Sequence, residues 1–458
     1  MEVSRKISGL LFTAIFLLST VSALPAPATG TNIASMGDDW PMVQHDPEHT
    51  GATNSSVPIA KPHVLWSVPY GSYVASPVVA NGIVYIDSNA YNADTGKLLW
   101  ANTSVEFTPL IENDIIYAVT PGTFGIHAYN ASTGATLTGS SSIFNATILA
   151  VGDGYFYGMN EGCLVDYNIA SGNLIWKSAN YSYVYDSPAV ADGCLYFGTE
   201  DNFVALNAST GTQTWEFPSP TPVSFSPAVS SGFVYVKVNA VLYCFNDSTG
   251  KPVWNYAVDA PYLGSSSYPA VANGIVYIGA YDGNVYAINA YSGEKVWSSK
   301  IAEAGGGIDK GVQASPIVVG GMVLVCSTDG NLYALNCSDG NTLWTFRLQS
   351  SNPRFGDYLA SSPAVADGKI YIGSVDYQII VLGNSNQSNV ALSRQWVQLT
   401  VVVLVVVGVI ILIAVVAKQV RNKKQRIKAQ KNAASENSKV SVRTGTDGTN
   451  QTRRFTVL

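Results

Sequence analysis

A glycine followed four residues later by a tryptophan recurs six times along this chain, at Gly96/Trp100, Gly172/Trp176, Gly211/Trp215, Gly250/Trp254, Gly293/Trp297 and Gly340/Trp344. A seventh copy, Gly134/Thr138, keeps the glycine and loses the ring. A second mark, a proline ahead of a Gly-x-Val-Tyr-like run, falls at Pro77, Pro109, Pro188, Pro227, Pro269, Pro316 and Pro363, with Ile148 in the slot of the third copy. Successive slots lie 32 to 47 residues apart. Self-similarity on that period means a stack of like units, each burying its apolar face against the next.

Within a unit the pattern is β. The copy from Tyr268 to Trp297 breaks into short apolar runs at Asn273-Gly274, Asp282-Gly283 and Ser292-Gly293. Each pair supplies the positive φ of a tight hairpin. No amphipathic helix of useful length lies between Trp40 and Gly383, which excludes a parallel α/β fold with its helical crossovers. Four short strands per unit make a propeller blade. The last unit, Pro363 to Leu382, stops without a Gly-x-x-x-Trp strand, whereas Pro62-His-Val-Leu-Trp66 is a spare one. Eight inner-strand slots match eight Trp slots only if Trp66 completes the last blade. The fold class expected is therefore all-β: an eight-bladed propeller of four-stranded blades over 62–383, closed by an N-terminal strand so that no sheet edge is left open.

The ends carry different signals. Arg5 and Lys6, the apolar stretch Ile7 to Val21 and the small-residue site Val21-Ser22-Ala23 read as a signal peptide over 1–23. A lead-in segment (24–61) precedes the propeller and a stalk (384–396) follows it. Residues 397–417 are almost unbroken Val, Ile and Leu, long enough for one C-terminal transmembrane helix. Lys418, Arg421, Lys423, Lys424, Arg426, Lys428 and Lys431 then mark the cytoplasmic side, so the propeller is expected outside a single-pass anchor. The tail, 418–458, reads as basic and disordered. Net charge is -6 overall, but removing tail and signal leaves an acidic body of about -16. Such a body is no nucleic-acid binder.

Ala205-Leu-Asn-Ala-Ser-Thr-Gly-Thr-Gln-Thr-Trp215, Ala287-Ile-Asn-Ala-Tyr-Ser-Gly-Glu-Lys-Val-Trp297 and the Asp-Thr-Gly-Lys core of Tyr91–Trp100 resemble the tryptophan-docking repeat of quinoprotein-type, PQQ-binding-like propellers. The lead-in Trp40-Pro-Met-Val-Gln-His-Asp-Pro-Glu-His-Thr-Gly51 is similar to the opening of many such proteins, including relatives of the outer-membrane assembly factor BamB. The resemblance implies structural docking roles for Trp66, Trp100, Trp176, Trp215, Trp254, Trp297 and Trp344. It does not choose a function, because this repeat serves dehydrogenases and non-catalytic scaffolds alike.

Under the enzyme alternative, a PQQ-dependent dehydrogenase, PQQ and Ca²⁺ would sit in the central funnel, and hard Ca²⁺ needs six to eight oxygens from converging loops. Such enzymes often place a vicinal cysteine pair under the cofactor, but here Cys163, Cys194, Cys244, Cys326 and Cys337 are all separated. Cys244 and Cys337 stand where other copies have Ala, and Cys326 in a Gly slot; they read as small core residues. His45 and His49 lie in a Pro-containing lead-in, not on a helix, so their spacing has no metal-site geometry, and a structural strap is the better reading. The main expectation is a binding or scaffold platform without cofactor or metal, for an extracytoplasmic protein or glycan. Candidate contacts are Tyr181, Tyr183 and Tyr185 in one loop and Asp309, Lys310, Arg354 and Asp357 in two long ones, since recognition favours exposed loops on rigid frames. Sequons at Asn54, Asn102, Asn130, Asn145, Asn180, Asn207, Asn246, Asn336 and Asn386 are glycosylation candidates, although several belong to the repeat's own Asn-Ala-Ser-Thr-Gly turn.

Overall fold

Each period of the repeat folds into an antiparallel sheet, and eight such sheets follow one another. The structure, a computed structural model, describes residues 39–384, less 43, 54, 56, 58–59, 71–75, 103–105, 121–122, 138–146, 153, 161, 170, 182–183, 185, 259–265, 304–310, 349–360 and 375–376, together with 417–432. Inner strands of blades 1 to 8 are Val78–Ala80, Glu106–Glu112, Thr147–Gly152, Ala189–Ala191, Ala228–Ser230, Ala270–Ala272, Ile317–Val319 and Ala364–Ala366. Blade 6 shows the pattern in full: Ala270–Ala272, Ile275–Gly279, Asn284–Asn289 and Lys295–Lys300, paired in that order. Blade 2 has three strands among the described residues.

Ring closure follows the sequence expectation. His63–Pro69 pairs antiparallel with Gln378–Gly383 as the fourth strand of blade 8, Trp66 opposite Val381. The hairpins turn where Gly pairs fall, with positive φ at Asn81 and Gly82 or Asn273 and Gly274. In the turn before each outer strand, an Asn side chain replaces a backbone acceptor. Asn207 Oδ1 takes the amide and hydroxyl of both Ser209 and Thr210, a side-chain mimic of a backbone turn.

The tryptophans hold neighbouring blades together by one repeated contact. Trp215 is 8% exposed, and its indole Nε1 donates to the carbonyl of Asp247 at 2.6 Å. Three residues on, Gly250 lies against the indole face: a Cβ there would come within 2.5 Å of the ring, and its φ is +66°. Trp66, Trp100, Trp176, Trp254 and Trp297 repeat the bond to Ala93, Ala131, Ala208, Ala290 and Cys337 at 2.8–3.0 Å. At three seams a tyrosine of the same blade fills the second lone pair of that carbonyl: Tyr85 on Ala131, Tyr235 on Ala290 and Tyr277 on Cys337.

Two seams depart from this rule. Thr138 lies outside the described residues, and the contact between blades 2 and 3 is built instead on Tyr117, Val151, Phe156 and Val165 with Leu137 packed against them. Trp344 is buried, yet its Nε1 has no partner among the described residues. Blade 8 takes its fourth strand from the N-terminal segment, so no third-to-fourth turn is there to offer a carbonyl.

The expected signal peptide (1–23) lies outside the described residues, as does the apolar span except Ala417. Among the described residues no helix is long and apolar enough to cross a membrane. In a second unit, Asn386–Leu458, residues 417–432 form a helix exposed along its length. Its Ala, Lys, Arg and Gln are strong helix formers, a propensity that the reading of 418–458 as disordered did not weigh.

Trp215→Phe should destabilise the protein by about 1–2 kcal/mol more than Trp344→Phe, because only the first removes a made hydrogen bond and strands a buried carbonyl. Gly250→Ala should be worse than either, whereas Gly82→Ala, with nothing within 4 Å of its new methyl, carries only the cost of positive φ, about 1 kcal/mol. Chemical denaturation of the four variants checks the order.

Candidate functional site: the central channel and its mouth

Inner strands of a propeller leave one edge facing the axis, and the amides on that edge need acceptors. Here the lead-in supplies them. Val79 exchanges both backbone bonds with Trp40, Ile111 donates to Pro41, Val190 to Pro47, Val229 to Glu48, Val271 to Thr50 and Val318 to Gly51. Ala52–Thr53 then runs parallel to Ile317–Val319. The strap thus visits blades 1, 2, 4, 5, 6 and 7 in chain order. It is wound tightly, with positive φ at Gln44, His45, His49 and Gly51. Asp46 caps its central turn, accepting from the Thr50 amide at 2.7 Å and from the Thr50 hydroxyl.

At one end of the channel a chain of hydroxyls links the starts of the inner strands. The Tyr268 amide donates to Ser315 Oγ, the Ser315 amide to Ser362 Oγ and the Ser362 amide to Ser76 Oγ, at 2.9–3.1 Å. A small cavity remains between the strap and these strands, lined by Trp40, Gln44, Ser76, Ser315, Ile317 and Ser362. On the other side Gln44 donates to the Pro269 carbonyl. His49 is 5% exposed, its Nδ1 has no partner among the described residues, and burial holds its pKa below the ordinary histidine value although Asp46 and Asp186 pull the other way. Tyr268 is bonded to Asp186, and burial pushes its phenol well up.

His45 Nδ1 faces Asp46 at 3.2 Å, and among the described residues no group of three His, Cys, Asp or Glu able to hold an ion occurs. PQQ with Ca²⁺ would need a flat slot and a cage of convergent oxygens. Among the described residues the strap bonds to the inner strands of six blades, the Asp46 carboxylate is engaged by Thr50 and His45, and that of Asp186 by the Ser187 amide.

Of the loop residues expected to bind a partner, Tyr183, Tyr185, Asp309, Lys310, Arg354 and Asp357 lie outside the described residues. Tyr181 is half-buried, its ring edge-on to Phe197 at 5.2 Å and its hydroxyl on Gln213, so it packs onto blade 4. The long loop of blade 6 has a closed neck, Gly311 N–H to the Glu303 carbonyl. The sequon residues Asn130, Asn207, Asn246 and Asn336 serve as turn acceptors through Oδ1, and Asn102 donates its Nδ2 to Gly134. Asn180 is exposed at the end of its strand; Asn54, Asn145 and Asn386 lie outside the described residues. All five cysteines are free, and burial raises Cys244 to about 12, in keeping with inert core thiols.

Two buried charged residues escaped the sequence reading. Lys237 occupies the slot of Gly198, Gly279 and Gly373; it is fully buried, with Nζ 4.4 Å from the centre of the Phe225 ring. Asp166 stands where other blades have Ala90, Ala205, Cys244, Ala287 and Ala334, directly opposite Trp176. It is 0% exposed, neither carboxylate oxygen has a partner among the described residues, and burial raises its pKa to about 7. A departure from the repeat consensus at an interior slot was the available signal in both cases.

The family model described as outer membrane protein assembly factor BamB matches residues 122–231 and 203–414. Among solved structures, BamB from Moraxella catarrhalis is 20% identical over 70% of this chain and 100% of that one, with a TM-score of 0.52. A quinohemoprotein alcohol dehydrogenase from Pseudomonas putida is 13% identical over 79% and 83%, with a TM-score of 0.60. The computationally designed Ika8 protein is 15% identical over 70% and 99%, at 0.58. At such identities the likeness concerns the fold alone. No curated protein matches the chain.

Asp166 gives a signed prediction. Its folded pKa lies above the unfolded value, so its contribution to stability is most favourable at about pH 4 and below and falls as pH rises toward about 7, where the buried group ionises. Asp166→Ala, the residue of the neighbouring blades, should remove that slope and raise stability at pH 8 by about 2–4 kcal/mol. Denaturant midpoints from pH 4 to pH 8 measure it.

Proposed function

The chain belongs to the family described as outer membrane protein assembly factor BamB, and from that premise we propose that it is a non-catalytic binding platform, a rigid propeller that docks a protein partner outside the cytoplasm. The observation that carries this reading is the strap. A dehydrogenase of this fold works through its funnel, whereas here six blades direct backbone donors into the chain's own lead-in. The Trp-locked seams then serve to hold the mouth loops at fixed separation, which is what a docking surface needs. The reading includes the signal peptide, the single-pass anchor at 397–417 and a cytoplasmic tail, which would keep the propeller at the outer surface of a membrane. A glycan partner is compatible with the same loops, and nucleic acid is not, given the acidic body.

Titration of the full chain with PQQ and Ca²⁺, followed by tryptophan fluorescence and by dye-coupled oxidation of alcohols and sugars, separates the two uses of the fold. We expect neither saturable quenching nor turnover up to about 100 μM PQQ, a ceiling at which a cofactor site of useful affinity would be filled. Saturable binding with turnover would replace the platform by a PQQ-dependent dehydrogenase. Arg354→Glu and Asp357→Lys should weaken crosslinking of a partner in native membranes without changing the melting temperature.

A further inference from the structure

The strap is held to blades 4 and 5 through the carbonyls of Pro47 and Glu48, which accept the amides of Val190 and Val229. Between these carbonyls and the Thr50 carbonyl lies His49, a side chain that takes up a proton in the mildly acidic range. Three elements face it. Asp46 comes from the strap itself, Asp186 from the segment entering blade 4, and the Pro227 carbonyl from the start of blade 5. Tyr268, at the start of blade 6, reaches the same Asp186.

In the neutral form His49 is well placed, because Nδ1 can stand as a bare acceptor while the ring meets the Pro227 carbonyl. In the cationic form Nδ1 carries a hydrogen with no acceptor in reach. The neighbouring carboxylates are already engaged: Asp46 by the amide and hydroxyl of Thr50 and by His45, and Asp186 by the Ser187 amide and Tyr268. A buried cation without a hydrogen-bond acceptor is costly. Relief requires His49 to leave its place, and the two residues immediately before it, Pro47 and Glu48, are the ones whose carbonyls hold the strap to blades 4 and 5.

We propose that the lead-in is an acid-releasable plug of the channel, with His49 as its trigger and the axis-facing edges of blades 4 and 5 as the surface uncovered. The ends of the strap stay fixed, at Trp40 by its paired bonds with Val79 and at Ala52–Thr53 by its parallel pairing in blade 7. The change is a local opening of the middle of the strap. It does not depend on the platform reading, since it concerns the channel whatever the mouth loops bind.

Amide hydrogen exchange on the full chain at about pH 7.5 and pH 5.0, corrected for the intrinsic rate, reads the plug directly. Val190 and Val229 should lose about tenfold in protection at the lower pH while Val79 and Val318 keep theirs, and His49→Gln should abolish the difference. Equal protection at both pH values, the same loss in His49→Gln, or a loss shared by all inner strands would overturn the proposal. Should His49→Gln not fold, imidazole C2 deuteration of the native chain decides. His49 must titrate below the ordinary histidine value; titration at or above that value would overturn the trigger.

Discussion

One donor on each indole orders this molecule. A propeller blade is a small sheet with two apolar faces, and apolar faces slide; what fixes one blade against the next is a directional bond at the edge of the contact. From blade 8 around to blade 6, apart from the seam after blade 2, the bond runs from an indole N–H to a carbonyl of the next blade. The glycine three residues further on lets the ring lie flat against the turn. The same residue's amide bonds back to the first hairpin of its own blade, Ala93 to Gly82, Ala208 to Gly193 and Ala290 to Gly274. One residue therefore ties two hairpins together through its amide and receives the neighbouring blade through its carbonyl, so packing within and between blades cannot vary independently.

The channel solves the complementary problem. Outer edges are exposed to water, but inner edges converge where there is room for little else, and their amides would be stranded without acceptors. Filling the axis with a backbone segment satisfies them by the same chemistry that pairs strands, without requiring a particular side chain at most positions. Gln44, Asp46 and His49 are exceptions, and each shapes the strap or borders the channel.

Most of the fold could be read from residue spacing because the repeat states its geometry many times over. Glycine at the turn, tryptophan on the outer strand and proline before the inner one specify a blade, and the unmatched Trp66 identified the closing strand. The path of the strap was not legible, since Pro47 to Thr50 contribute through carbonyls that every residue possesses. Nor was Asp166, whose significance appears only when third strands are aligned and one carboxylate stands among alanines. The mouth loops carry no repeat in their sequence, so their composition suggests recognition without showing what is recognised. The departure at Trp344 came from closure itself: a blade assembled from both ends of the array has no turn at the point where the others bond.

Closure also sets an order on synthesis. The segment from Trp40 to Pro69 emerges early, yet its partners extend from Val79, in blade 1, to Val318, in blade 7, and to Gln378–Gly383, in blade 8. Blades 1 to 6 can stack as they appear, because each seam joins neighbours in sequence. The strap can be completed only when blade 7 exists, and the closing strand must wait, with its backbone groups hydrated, until about 300 further residues have been made. The final step of assembly thus belongs to the oldest part of the chain, and a product cut short before blade 8 would carry its own N-terminal strand as an unpaired edge.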